Sequence, residues 1–483
     1  MGRRFLRPSG GCSVTDTSQP TKVPRLPTLT GMRFAAALLV FCTHVSLEGF
    51  FADAGAADTA SFLVKRAGWA GVGFFFVLSG FVLAWSARPG DTTVGFWRRR
   101  AVKIYPNHVL TWAIAFALLL WTGKTVTAGV AIPNLLLVHT WLPIVQNFAS
   151  MNTVAWSLCC EAFFYLLFPW LLAAVNRIRA ERLWAATIAV IAVIVVLPLI
   201  AQLLPDRPRV PFAPDVPVYQ FWFVYLFPPV RTLDFLLGIL LAKLLLSGRR
   251  APLSLAPATG LAVLGYVGLL YAPYLFALDA VTIVPIALLI LAGARADVRG
   301  TPSLWRARFV VWLGDISFAF YMIHELVLHY RVRLFGIQAA WSTPVALAVV
   351  LGLLVVDVLL AWGLYSAVES PIVRRWSRPR RRESSLPAVS TATLTSLAGV
   401  AADTGRSADA AGARGGAAAP SIAVVDSPAA VSDSPVAEID SPPAVVDSPV
   451  AVLDSPAVPD SPAAVLDPPA AVRESPAVDG VER

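Results

Sequence analysis

Apolar runs of about twenty residues, the length at which an α-helix crosses a bilayer core, recur along most of this chain and leave few alternatives for its fold. Ten such runs are read at approximately 29–50, 68–87, 104–122, 154–175, 183–204, 226–246, 254–273, 276–293, 308–330 and 343–366. The apolar stretch Ile132–Ile144 is too short to cross and reads as interfacial or re-entrant. Loop charge tests the count. With the N-terminus inside, the loops on that side (1–28, 88–103, 176–182, 243–253, 294–308 and 367–382) hold 26 Lys and Arg, against 7 on the other. Basic loops are retained in the cytoplasm, so the expectation is an all-α, polytopic membrane bundle of about ten transmembrane helices with both termini cytoplasmic.

Composition agrees, with 57% hydrophobic and 14% charged residues, against about 25% charged in soluble domains. The net charge of +9 hides a division: residues 1–382 carry 35 basic and 16 acidic residues, and 383–483 carry 4 and 14. The basic excess flanks apolar helices, where it sets orientation, so no nucleic-acid partner is expected. The first apolar run lacks an A-x-A-like end and is expected to stay as a helix. Three parts follow: a cytoplasmic N-terminal arm (1–28), a membrane domain (29–376), and a basic stub leading into an acidic tail (377–483). The tail repeats Asp-Ser-Pro six times between Asp426 and Pro462. A proline in every repeat excludes a coiled coil, and the expectation is a disordered cytoplasmic segment. Cys12, Cys42 and the adjacent Cys159 and Cys160 have no metal-ligand spacing, so they read as packing residues and no metal is expected.

Ionisable residues inside spans are costly and mark function by default. Here they are Arg33, His44, Glu161, Arg231 with Asp234, Asp279, Asp315, His324, Glu325 and Asp357. Arg33 and His44 lie eleven residues apart in LTGMRFAAALLVFCTHVS, nearly three helical turns, so both emerge on one face about 16 Å apart along the axis. Such a face suits an elongated anionic donor from the cytoplasm with its reactive end at the histidine. An Arg snorkelling to headgroups plus a hydrogen-bonded core histidine fits equally well. Glu161 sits among Trp156, Phe163, Phe164 and Tyr165, where it pairs with a cation or orients a base. In FWRRRAVKIYP, Arg98, Arg99, Arg100 and Lys103 form a cluster suited to phosphates and equally to lipid headgroups. The glycines of GWAGVGFFFVLSGFVLAW allow close helix approach. Tyr321, His324 and Glu325 are helical near-neighbours in WLGDISFAFYMIHELVL, candidates for the acceptor site or for a polar contact between helices.

In this order LTGMRFAAALLVFCTHV, GVGFFFVLSGF, RRRAVKIYP, WSLCCEAFFYLLFP, RTLDFLLG, LGDISFAFYMIHELVL and VESPIVRRW resemble the acyltransferase-3 family of integral-membrane O-acyltransferases. The resemblance covers about residues 28–376. It implies that Arg33 and His44 form the family's basic residue and histidine of the first span, and that Glu161 is the glutamate of W-S-L-x-x-E. Arg100-Ala-Val-Lys103 stands where the family has Arg-x-x-Arg, so one guanidinium fork is lost. The implied reaction moves an acyl group, often acetyl, from acyl-CoA to a hydroxyl of a glycan, lipid-linked sugar or natural product such as a macrolide. His44 would be the general base with Arg33 and Glu161 beside it, Arg99, Arg100 and Lys103 would meet the coenzyme A phosphates, and Tyr321 and His324 are acceptor-site candidates. No resident cofactor is implied. There is no G-x-S-x-G elbow for a covalent acyl-enzyme. The alternative is a secondary transporter, although the two halves show no internal repeat. Arg outnumbers Lys 34 to 5, which is compatible with a GC-rich bacterium and hence with its plasma membrane.

Overall fold

The computed structural model describes residues 24–376, apart from 89, 211–212, 250 and 338–339. The expected arm up to residue 23, the basic stub and the acidic tail lie outside the described residues.

Each of the ten predicted runs falls on a helix. They are α1 (Pro27–Leu47), α2 (Ala67–Trp85), α3 (Thr93–Trp121), α4 (Trp156–Asn176), α5 (Leu183–Ala201), α6 (Pro228–Leu246), α7 (Leu255–Tyr271), α8 (Ile283–Val298), α9 (Arg308–Phe335) and α10 (Thr343–Leu364). Among the described residues, seven helical stretches are long and apolar enough to cross a membrane: Pro27–Leu47, Ala54–Trp85, Thr93–Trp121, Thr153–Asn176, Ala180–Ala201, Arg308–Phe335 and Thr343–Trp376. The expected ten is therefore reduced to seven by length and composition. The remaining three fall short for local reasons: α6 carries Arg231, Asp234 and Lys243, α7 has 17 residues, and α8 has 16 and ends in Arg295 and Asp297. A span embraced by other helices need not be apolar throughout, because its charges face protein and not lipid. The protein is a multi-pass membrane protein; its described residues are mostly helical, with one short antiparallel ribbon among them pairing Arg209–Val210 with Ala213–Pro217.

The ambiguous stretch Ile132–Ile144 does not span. It holds the end of an eight-residue helix, Ala128–Leu135, followed by irregular chain. That chain is folded into the bundle: Asn134, His139, Thr140 and Asn152 are all buried. Burial pushes the His139 imidazole down to about 3, so it stays neutral. The Thr140 hydroxyl donates to the Cys159 sulfur at 2.9 Å, consistent with packing roles for the described cysteines, all free thiols.

Large side chains on α7 and α10, including Leu264, Leu351, Val355 and Leu359, point outward, as lipid-facing surfaces require. The core instead brings backbones into contact. α2 and α6 cross where a Cβ on Gly80 would sit 1.9 Å from the Phe235 carbonyl oxygen and one on Gly238 1.9 Å from that of Val77. α1 and α9 cross in the same way, with Gly314 against the Thr30 carbonyl. Lipid supplies no hydrophobic drive between helices, so this close contact is a main source of their association.

Polar ties secure the helix ends. Asp297 of α8 accepts from the Thr28 amide (2.9 Å) and hydroxyl (2.6 Å), capping α1 in place of a residue of its own chain segment. Arg66 donates to the Leu269 and Ala272 carbonyls at 3.0 and 2.8 Å and closes the C-terminal end of α7. At the far end of α1, Glu48 is ion-paired with Arg331 of α9, and His329 lies 3.3 Å from the same carboxylate. With the Gly314 crossing at one end and this pair at the other, α1 and α9 are held in one register.

Candidate active site

That register brings two histidines together. His44 and His324 are 1% and 0% exposed, and His44 Nδ1 lies 2.9 Å from His324 Nε2. His324 Nδ1 lies 2.8 Å from the Tyr321 carbonyl oxygen, which can only accept, so that nitrogen carries a proton. With both rings neutral, His324 Nε2 is then the acceptor and His44 Nδ1 the donor. The basic lone pair of His44 is therefore on Nε2, an assignment that follows from the hydrogen-bond network. Phe320 stacks on the His324 ring at 5.6 Å and 8°, and Phe41 flanks it at 6.3 Å, so the His324 ring has little freedom to turn.

Arg33 is buried on the same helix as His44 and faces the carboxylates of Asp315, Glu369 and Glu161. Glu161 is fully buried in α4 and accepts a hydrogen bond from the Tyr165 hydroxyl at 2.9 Å, with Ser79 of α2 close by. Glu161 also faces Arg33 and Arg100, so three of the expected residues from α1, α3 and α4 converge. Arg33 and Glu161 are buried, and Arg100 stands partly exposed at the edge of the group.

Lys103 joins this group with its ammonium engaged. It is 5% exposed, ion-paired to Glu369, and lies over the Phe318 ring at 5.6 Å. The Asn107 amide, one turn further along α3, donates to the other oxygen of Glu369 at 2.5 Å. Arg99 does not converge: it is ion-paired to Asp91 in the loop before α3. The Tyr321 ring lies 5.6 Å from that of His324, while its hydroxyl donates to the Val154 carbonyl at 2.8 Å and lies 3.2 Å from Ser157. His324, an acceptor-site candidate on sequence, is the immediate partner of His44.

Sequence reading passed over Glu369 and Asn107. Glu369 was visible within VESPIVRRW but missing from the ionisable residues read inside spans, because the last apolar run was ended at residue 366. Asn107 had a usable signal, its i+4 spacing from Lys103 on the same helix. The other buried charge group is separate. Arg231 pairs with Asp234 at 2.8 Å and Asp279 at 2.9 Å, between the rings of Phe76 and Tyr225. It ties α6 to the chain before α8 and reads as structural.

A helical membrane bundle with a buried, tautomerically fixed histidine at one end of a helix face and converging charges at the other has the makings of an internal acid–base site. A family model described as an acyltransferase domain matches residues 26–365, and the chain belongs to that family, acyltransferase-3. The match covers nearly all of the described bundle, and the protein is a membrane acyltransferase. It is 40% identical over 371 residues to Acyltransferase MdmB of Streptomyces mycarofaciens, covering 75% of this chain and 95% of that protein. It is 25% identical over 328 residues to the exopolysaccharide production protein ExoZ of Rhizobium meliloti (strain 1021), covering 65% and 92%. No solved structure matches. The transporter alternative finds no support in these relationships.

Proposed function

We propose that this enzyme transfers an acyl group, acetyl in the first instance, from acyl-CoA to a hydroxyl of a sugar, glycan or secondary metabolite such as a macrolide, in a bacterial plasma membrane with both termini cytoplasmic. The observation that carries the reading is the His44–His324 hydrogen bond, which leaves His44 Nε2 as the base. On the loop-charge topology, the Arg33 end of α1 faces the cytoplasm, where acyl-CoA is available. Arg33, Arg100 and Lys103 supply cationic donors for its phosphates, and the pantetheine arm runs along the α1 face toward His44. Arg99, held by Asp91, is assigned to the rim.

His44 Nε2 takes the proton from the acceptor hydroxyl as that oxygen attacks the thioester carbon. The resulting imidazolium keeps its Nδ1–H bond to His324, whose own Nδ1 proton stays donated to the Tyr321 carbonyl. A histidine thus stands where a carboxylate orients the base in other acyl-transfer sites. When the tetrahedral intermediate collapses, the carbon–sulfur bond breaks and the thiolate takes the proton from His44. Glu161 is positioned to hold Arg33 and Arg100 in place. Of the acceptor-site candidates, His324 orients the base, and Tyr321 shapes the turn that carries it.

Membranes from an expressing strain, incubated with labelled acetyl-CoA and a panel of hydroxylated acceptors, should give an O-acetylated product of the matching mass. Label found on no acceptor, at confirmed expression, would count against acetyl-CoA as donor. The similarity to the exopolysaccharide production protein ExoZ adds exopolysaccharide acceptors to the panel.

A further inference from the structure

The contact between Lys103 and Glu369 joins two helices distant in sequence and lies within the cation group assigned to the donor. Glu369 is the last residue of a π-helical turn, Tyr365–Glu369, which separates α10 from the short helix Ser370–Trp376. A π turn shifts the following face around the helix axis, and such turns concentrate at functional sites. Here the carboxylate, 1% exposed, reaches α3 and is held by Lys103 on one oxygen and Asn107 on the other.

We propose that Glu369 is a positioning residue for donor binding: it fixes the Lys103 ammonium beside Arg33, ready to meet a phosphate of coenzyme A. This rests on the acyl-CoA reading above. An ammonium at this depth keeps its place only against a counter-charge. A lysine carries three N–H donors, and Glu369 Oε1 accepts one. The carboxylate thus orients the ammonium without exhausting it. Asn107 prevents the carboxylate from rotating, and Phe318 closes one side of the cation. A flexible ammonium gains a fixed direction from such an external clamp, whereas a planar guanidinium carries its own preorganised fork.

The test is isothermal titration of the full chain in detergent with coenzyme A. E369Q should weaken coenzyme A about tenfold, the scale of one charged hydrogen bond, and E369D should retain affinity within about threefold. K103M should weaken it to the same extent, and K103M/E369Q no further, because residues acting through one contact are not additive. A purely structural Glu369 would give no such non-additivity. Wild-type affinity in E369Q while K103M is weakened would overturn the positioning role, and so would tighter binding in E369Q, which makes Glu369 a competitor for the ammonium. Wild-type affinity in K103M would instead remove Lys103 from the donor site, a separate failure. If E369Q is lost from the membrane, the charge-swapped K103E/E369K keeps the pair and moves the cation. It should fold and lose coenzyme A affinity, and retained affinity would overturn the proposal.

Discussion

Replacing His44 by glutamine should reduce acyl transfer by about a thousandfold, within the range that a positioned general base contributes. The amount of protein in the membrane should stay unchanged. Glutamine fills much of the imidazole's volume and can still donate to His324 Nε2, so the packing of α1 on α9 is preserved. What it lacks is a basic nitrogen at the Nε2 position. His324→Gln should be milder, about tenfold, because its side-chain oxygen can accept from His44 Nδ1–H and keep the tautomer. His324→Leu should approach the loss seen at His44, since the Nδ1 proton then has no acceptor there and the ring can flip. Rates per amount of immunodetected protein in membranes decide the matter. Full activity in His44→Gln would remove His44 as base, and a harsher effect of glutamine than of leucine at His324 would contradict the tautomer assignment.

Gly238→Val should abolish folded protein. A Cβ there would lie 1.9 Å from the Val77 carbonyl oxygen and 2.7 Å from the Phe81 amide nitrogen, both backbone atoms. Neither can swing aside, so α2 and α6 must separate along the most intimate crossing in the bundle. Overpacking costs about 1–3 kcal/mol where side chains can yield, and more where only backbone can move. Separation would also pull Arg231 of α6 from the Phe76 ring of α2, uncovering the guanidinium that pairs with Asp234 and Asp279. Gly80→Val should behave alike, for its Cβ meets the Phe235 carbonyl at the same distance. Gly260→Ala and Gly352→Ala are the controls, each opening onto space with nothing within 4 Å. The monodisperse fraction after detergent extraction reports the outcome. Wild-type yield and thermal stability in Gly238→Val would show that the crossing can relax.

Both predictions begin from motifs legible in the chain, and both needed tertiary contacts to acquire a mechanism. Arg33 and His44 could be placed on one helix face from their spacing alone, because helical phase is a local property. That His44 meets His324 could not, since the residues are 280 apart in sequence and their contact depends on how α1 registers against α9. Lys103 was legible as a cation near a membrane boundary. Its clamp by Glu369 was hidden, because that carboxylate arrives from the opposite end of the domain on an irregular turn. Arg99 and Arg100 are adjacent in the chain and looked interchangeable. One is ion-paired to Asp91 in the preceding loop, and the other faces Glu161 in the core.

Apolar run length, loop charge and the ordered motifs determined by themselves that this chain is a helical membrane protein, roughly where its long helices lie, and which family its motifs resemble. These are properties of single segments against bilayer or water, so they can be read one segment at a time. Only the tertiary structure decided which ionisable groups share a site, which nitrogen of His44 is basic, and which glycines bear the helix crossings. Those depend on distances of about 3 Å between segments far apart in sequence, set by the joint packing of all the helices at once.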